Sequence, residues 1–323
     1  MAGIELYAPR QPRVRRTWTA AALILAVVFI ALGQTLTVIP AVLLGWVSLQ
    51  GQDQGQNQGW GAMAYTLFGF AFIALITVAW VRLFERRGLD AIGFNGLGLK
   101  RFAQGYGLGL AALLAVVGVI ALFGGYRIES GGAFATANVV GALLPILVLM
   151  AGFVVQGSTE EIVTRGWLMQ VIASRHGLGW GIGLSSALFG LLHASNIKPS
   201  PELAVGVFNV VLFGVMIGLY AARQGSLWGV CGWHAAWNWL LGLGFGLEVS
   251  GQVIDTPPLI VDLADRAGAP WWLTGAAFGP EGSVVTTAML VIAAVVLALR
   301  WRSRDYGVVV EAATPVVVEK APA

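Results

Sequence analysis

The sequence has little charge, almost no cysteine and few histidines. Only 11% of its 323 residues are Asp, Glu, Lys or Arg, against roughly a quarter in soluble domains, and that deficit excludes a water-soluble globular protein. The single cysteine, Cys231, excludes a disulfide framework and any paired-cysteine metal motif. Histidine occurs only at His176, His193 and His234, and no HExxH pattern is present. A formal charge of +3 at pH 7 suits a nucleic-acid partner only when the basic groups form one patch. Here they are spread over loops, so no nucleic-acid partner is expected.

Apolar residues are what the chain has in quantity, at 57%. Eight long apolar segments stand out: Thr17 to Val47, Trp60 to Val81, Phe102 to Phe123, Val139 to Ala173, Leu178 to Ala194, Leu203 to Ala222, Ser226 to Leu247, and Val284 to Trp301. They predict an all-α, polytopic integral membrane protein with about eight transmembrane helices surrounding an intramembrane cavity. The first segment is too long for a signal-peptide core and lacks a small-residue cleavage site, so it is read as an uncleaved helix containing Pro40. The expected organisation is a cytoplasmic tail over 1–16, a membrane domain over 17–301 and a disordered cytoplasmic tail over 302–323.

Lys and Arg accumulate in short cytoplasmic loops, and their distribution sets orientation. With the N-terminus inside, only Arg127, Lys198 and Arg266 of the 19 basic residues fall outside. Both termini are therefore expected in the cytoplasm, the membrane being the inner membrane of a bacterial cell. The loop Glu248 to Ser283 is the longest on the outer side and reads as a surface loop in which Trp271 and Trp272 anchor at the lipid interface. The Gly/Gln-rich run Gln50 to Gly59 carries no functional signal. Gly105, Gly107 and Gly109 lack the strand and soluble helix of a dinucleotide loop; close helix packing accounts for them, and for Gly181, Gly183, Gly214 and Gly218.

Ionisable groups in hydrocarbon cost about 2.5–3.5 kcal/mol or more each, so a span that keeps them usually uses them. The fourth segment carries Glu160, Glu161 and Arg165, the fifth Phe189 and His193, and the seventh His234 and Asn238. At 1.5 Å per residue, Glu160, His193 and Asn238 lie about 20, 22 and 18 Å above the inner ends of their segments, and His234 about 12 Å. Three helices thus bring polar groups to similar heights. Glu161 and Arg165 are i and i+4 and can pair, while Glu160 is rotated about 100° away and stays free. His234 and Asn238, also i and i+4, point in one direction.

A carboxylate beside an imidazole can hold and deprotonate a water, and a second imidazole and an amide can donate to the oxyanion formed when that water attacks a carbonyl. Ser185, Ser186 and Ser195 have no evident triad, and no second feature marks Cys231 as a nucleophile. A divalent metal such as zinc is the variant, with Glu160, His193 and His234 as three ligands and water as the fourth. Either no cofactor or such a metal fits this pattern. Asn209 can bridge helices, Gln156, Ser158 and Thr159 can line a cavity, and Trp233 and Trp237 read as packing or interface residues.

At these residues the sequence resembles the CAAX-protease and bacteriocin-processing (Abi) family of intramembrane endopeptidases. Glu160, Glu161 and Arg165 match its EExxxR motif, Phe189 and His193 its FxxxH motif, and His234 and Asn238 its HxxxN motif. The resemblance covers about 139–247, the expected catalytic core. It implies that Glu160 and His193 position the hydrolytic water and that His234 and Asn238 stabilise the oxyanion, with Glu161, Arg165 and Phe189 in support. It also implies a protein or peptide substrate, prenylated or a peptide precursor, reached within the bilayer. The alternatives are a non-catalytic scaffold or self-immunity protein of the same fold, and a proton-coupled transporter using the buried carboxylate. No symmetry between halves supports the transporter.

Overall fold

The computed structural model describes residues 3–9, 14–44 and 59–300. The run 50–58 and the expected tail over 302–323 lie outside the described residues. Each of the eight apolar segments forms a helix: α1 (Thr19–Leu43), α2 (Trp60–Phe84), α3 (Gly98–Leu122), α4 (Val139–His176), α5 (Leu178–Leu192), α6 (Pro201–Gln224), α7 (Trp228–Trp239) and α8 (Val284–Leu299). Among the described residues α1, α2, α3, α4 and α6 are long and apolar enough to cross a membrane. Helices α5 and α8 are shorter, and a π turn at Leu240–Gly244 extends α7. The protein is a polytopic, all-α membrane protein. Its exterior agrees, since Leu36, Leu75, Leu114, Leu147, Ile292 and Leu299 are at least half exposed, an apolar surface that only lipid would cover.

The segment boundaries have local causes. Asn138 accepts from the Gly141 N–H to start α4, Ser200 accepts from Leu203 N–H with Pro201 behind it to start α6, and Ser283 accepts from Thr286 N–H to start α8. Gly177 and Gly225 take positive φ and turn the chain after α4 and α6. Helix α3 packs along α7, and the reason is in the glycines: a Cβ at Gly105 would collide with the Gly229 carbonyl, and one at Gly109 with the Trp233 carbonyl. Gly107 and Gly183, expected to serve packing, instead face open space.

The two ends of the bundle differ. At one end residues 3–9, within the stretch expected as a tail, are packed between helices. Ile4 N–H donates to the Ala173 carbonyl, Leu6 N–H to Gln170 Oε1 at 2.8 Å, and Tyr7 O–H to the Arg165 carbonyl at 2.9 Å. Glu5, fully buried, takes Arg87 at 3.0 Å and Gln170 at 2.6 Å. Burial pushes the Tyr7 phenol far above its usual range, so its hydroxyl stays a donor. Asn95 donates to the Tyr7 and Gly225 carbonyls and so joins the α2–α3 and α6–α7 turns to this plug.

At the other end the connections 124–138, 193–200 and 248–283 meet. Strand β1 (Tyr126–Ser130) pairs antiparallel with β2 (Asp262–Asp265), Ala133 N–H donates to the Pro258 carbonyl, and Asn196 donates to the Ser250 carbonyl. The loop expected to lie on the surface is therefore knitted into the protein. Glu5→Ala should lower stability by about 1–3 kcal/mol, because it leaves Arg87 and Gln170 without their acceptor. Thermal melting in detergent checks this; an unchanged midpoint would mean that the plug contributes nothing to the fold.

Candidate active site

Helix α4 carries the charges. Its regular turns end at Glu161, and a π turn runs over Ile162–Leu168. Such turns shift the backbone ladder and are common at functional sites. Here the Thr164 hydroxyl donates to the Glu160 carbonyl, and Arg165 Nη1 donates to Thr164 Oγ1 at 2.6 Å.

Arg165 and Glu161 are both fully buried and pair across one helical turn, Nη1 to Oε1 at 3.3 Å. Two carboxyl-flanking rings complete the cage: the guanidinium lies 4.4 Å from the centroid of Phe189 on α5 and 5.6 Å from that of Phe213 on α6. Gly214 is needed beside it, because a Cβ there would press on Arg165 Nη2 and on Ser186. The cation of α4 thus ties α5 and α6 to the carboxylates.

Helix α7 brings His234 against this pair. Its Nδ1 lies 2.9 Å from Glu161 Oε1 and its Nε2 lies 3.5 Å from Glu160 Oε2, so both ring nitrogens face carboxylates. The approach is close: a Cβ at Gly157 would come within 3.3 Å of His234 Cγ. One turn on, Asn238 Nδ2 donates to Gln156 Oε1 at 3.0 Å, which leaves its second N–H free. His193 follows the last residue of α5, and its Nδ1 lies 2.8 Å from the Phe189 carbonyl. A carbonyl only accepts, so Nδ1 donates to it, and Nε2 has no backbone partner.

Glu160, His193, His234, Asn238 and Phe189 all line one cavity of about 540 Å³. Glu161 and Arg165 stand behind its wall, fully buried. Glu160 and His234 are in direct contact, whereas His193 reaches the cavity from the opposite helix end, held by its own backbone. Its lining combines apolar residues such as Ile30, Leu67, Phe70, Ile73 and Phe153 with polar ones, Gln156, Thr159, Asn196, Asn209, Ser250 and Glu281. Ser158 does not line it. Among the described residues no group of three or more His, Cys, Asp or Glu is arranged to hold a metal ion.

Residues 142–240 match the family of type II CAAX prenyl endopeptidases, Rce1-like. The chain is similar to the CAAX proteases. The matched stretch holds all three motifs and every candidate residue from Glu160 to Asn238. No curated protein and no solved structure matches the chain.

Several cavity residues escaped the sequence reading. Glu281 and Ser250 sit in the loop expected at the surface, yet Glu281 Oε1 accepts from Trp237 Nε1 at 3.0 Å, and its Oε2 accepts from Ser250 N at 2.6 Å and Ser250 Oγ at 2.8 Å. Trp233 and Trp237, expected as packing or interface residues, line the cavity while stacked on each other. Trp237 was detectable as the i+3 neighbour of His234; Glu281 had no local signal. Asn209 does bridge elements, donating to the Glu281 and Ser283 carbonyls and accepting from Thr287 on α8.

Arg165→Met should cost about 3–5 kcal/mol by leaving Glu161 in the interior without its guanidinium partner, and adding Glu161→Gln should restore part of that loss. Melting of the single and double variants decides it; additive losses would show that the pair is not coupled.

Proposed function

We propose that the chain is an intramembrane endopeptidase of the CAAX-protease type, hydrolysing a peptide bond with a water held between Glu160 and His193. The observation that carries this reading is the convergence of a cavity-facing carboxylate, an imidazole with a free Nε2 and a free amide N–H on one enclosed space. The Glu160 side chain is 18% exposed and lines the cavity while its Oε2 is buried toward His234 Nε2, so the water is assigned to its other oxygen. That water gives one proton to Glu160 while His193 Nε2 accepts a hydrogen bond from the O–H that remains, and its oxygen attacks the peptide carbonyl. The oxyanion is met by the spare Asn238 N–H and by His234. Collapse breaks the C–N bond, and the proton held by Glu160 passes to the departing amine. The steps are written with protein groups alone; metal analysis of the pure, active protein distinguishes this reaction from a metal-assisted one at the same residues.

Glu161 and Arg165 act through position. Glu161 orients His234 from Nδ1, and Arg165 neutralises Glu161. The many apolar residues in the cavity lining suit a substrate entering from lipid.

Sidedness follows from charge. The cavity reaches the end where 193–200 and 248–283 meet, through Asn196, Ser250, Gln252 and Glu281, and the basic loops surround the plugged end. By the positive-inside rule the plug and both termini face the cytoplasm, in a bacterial inner membrane, and the cavity faces away from it.

Glu160→Gln and His193→Ala should each lower the cleavage rate of a peptide substrate about 10²–10⁴-fold, and Asn238→Ala about 10²–10³-fold. Wild-type rates in either of the first two would overturn the assigned mechanism; no cleavage by the native protein would leave a scaffold or immunity protein as the reading, and proton-coupled flux in liposomes, abolished by Glu160→Gln, would make it a transporter. With the only native cysteine buried, Ala267→Cys should label in intact cells with an impermeant maleimide and Leu97→Cys only after lysis. The reverse pattern would invert the orientation.

A further inference from the structure

Glu281 is the second carboxylate in the cavity wall, after Glu160, and the mechanism makes no use of it. No Lys or Arg lines the cavity among the described residues, and none lies within ion-pair distance of Glu281. Its carboxylate is nonetheless held rigidly. Trp237 donates to Oε1, and the Ser250 backbone and hydroxyl both donate to Oε2. A carboxylate offers about four acceptor sites. Oε2 is filled, and Oε1 retains one site. The Glu281 carbonyl is fixed in turn by Asn209 at 2.8 Å. The group is an oriented acceptor with an open valence, facing a space that holds Asn196 and Gln252 as neutral neighbours.

A C-terminal C-a-a-X segment ends in a free carboxylate, of the same sign as Glu281 and Glu160, and no cation lines the cavity to receive it. A nitrogen cation meets the opposite condition: it supplies the missing donor and the missing charge. Trp237, the residue before Asn238, donates to Glu281 and so links it to the helix of His234, and both carboxylates line the same cavity.

We propose that Glu281 is a specificity-determining residue, selecting substrates that place a cationic nitrogen at the loop end of the cavity. This rests on the endopeptidase reading. The cation is a Lys or Arg side chain or a free peptide N-terminus.

Binding tests the idea independently of turnover. Fluorescent peptides identical except for Lys, Gln or Glu at one position, each with free or acetylated N-terminus, are titrated into the Glu160→Gln protein in lipid nanodiscs. The cationic peptide should bind about tenfold tighter than its Gln counterpart, and added salt should narrow that gap. Loss of the preference on acetylation assigns the site to the N-terminus; its retention with Lys assigns it to a side chain. Adding Glu281→Gln should abolish the preference, and Glu281→Asp should keep a part of it, which separates charge from loop integrity. Equal binding of all peptides, tighter binding of the Glu peptide, or a preference that survives Glu281→Gln would overturn the proposal. Cleavage is scored separately with Glu160 intact. A charge preference without any cleavage would refute the endopeptidase reading while leaving the Glu281 site standing, and cleavage without a charge preference would do the opposite.

Discussion

The structure depends on a guanidinium placed where it is most expensive. Arg165 is fully buried in a helix that crosses the membrane region, and a lone cation there would be untenable. Glu161 neutralises it, Phe189 and Phe213 present their ring faces to it, and the Tyr7 hydroxyl fixes its backbone from below. Each of these partners comes from a different part of the chain. Satisfying one charge therefore draws together α4, α5, α6 and the N-terminal plug, and the carboxylate spent on Arg165 is the same one that orients His234 on α7. Glu160, one residue earlier, is turned out of this network into the cavity.

Division of labour between two adjacent carboxylates follows from helical rotation. A residue step of about 100° puts Glu161 among buried partners and Glu160 on the cavity wall with one oxygen lacking a donor. The π turn just after them and the one after Trp239 break the regular ladder on both helices that face each other here. Backbone irregularity at this depth is tolerated because it borders protein and cavity instead of lipid.

The sequence made the helices legible because twenty-residue apolar runs have no competing explanation, and the three polar motifs were legible because each violates that rule. Position along a helix also predicted which of Glu160 and Glu161 lies near Arg165. What stayed hidden was everything set by contacts distant in sequence. Residues 3–9 fall in a stretch that reads as a tail, yet Glu5 is buried by partners more than 80 residues away. Glu281 looks like one more loop acid, and only the folding of 248–283 back over the cavity brings it to Trp237. Gly105 and Gly107 look alike in GYGLGL, but only the former meets α7.

Water itself is the reactant on which the account turns. The most direct measurement is cleavage of a peptide by the purified protein in water enriched in oxygen-18, followed by mass spectrometry of both products and of the enzyme. The account predicts one heavy oxygen in the new carboxyl terminus after a single turnover and no peptide covalently attached to the protein at any time. A peptide adduct on a side chain of the enzyme, or no cleavage at all, would contradict it.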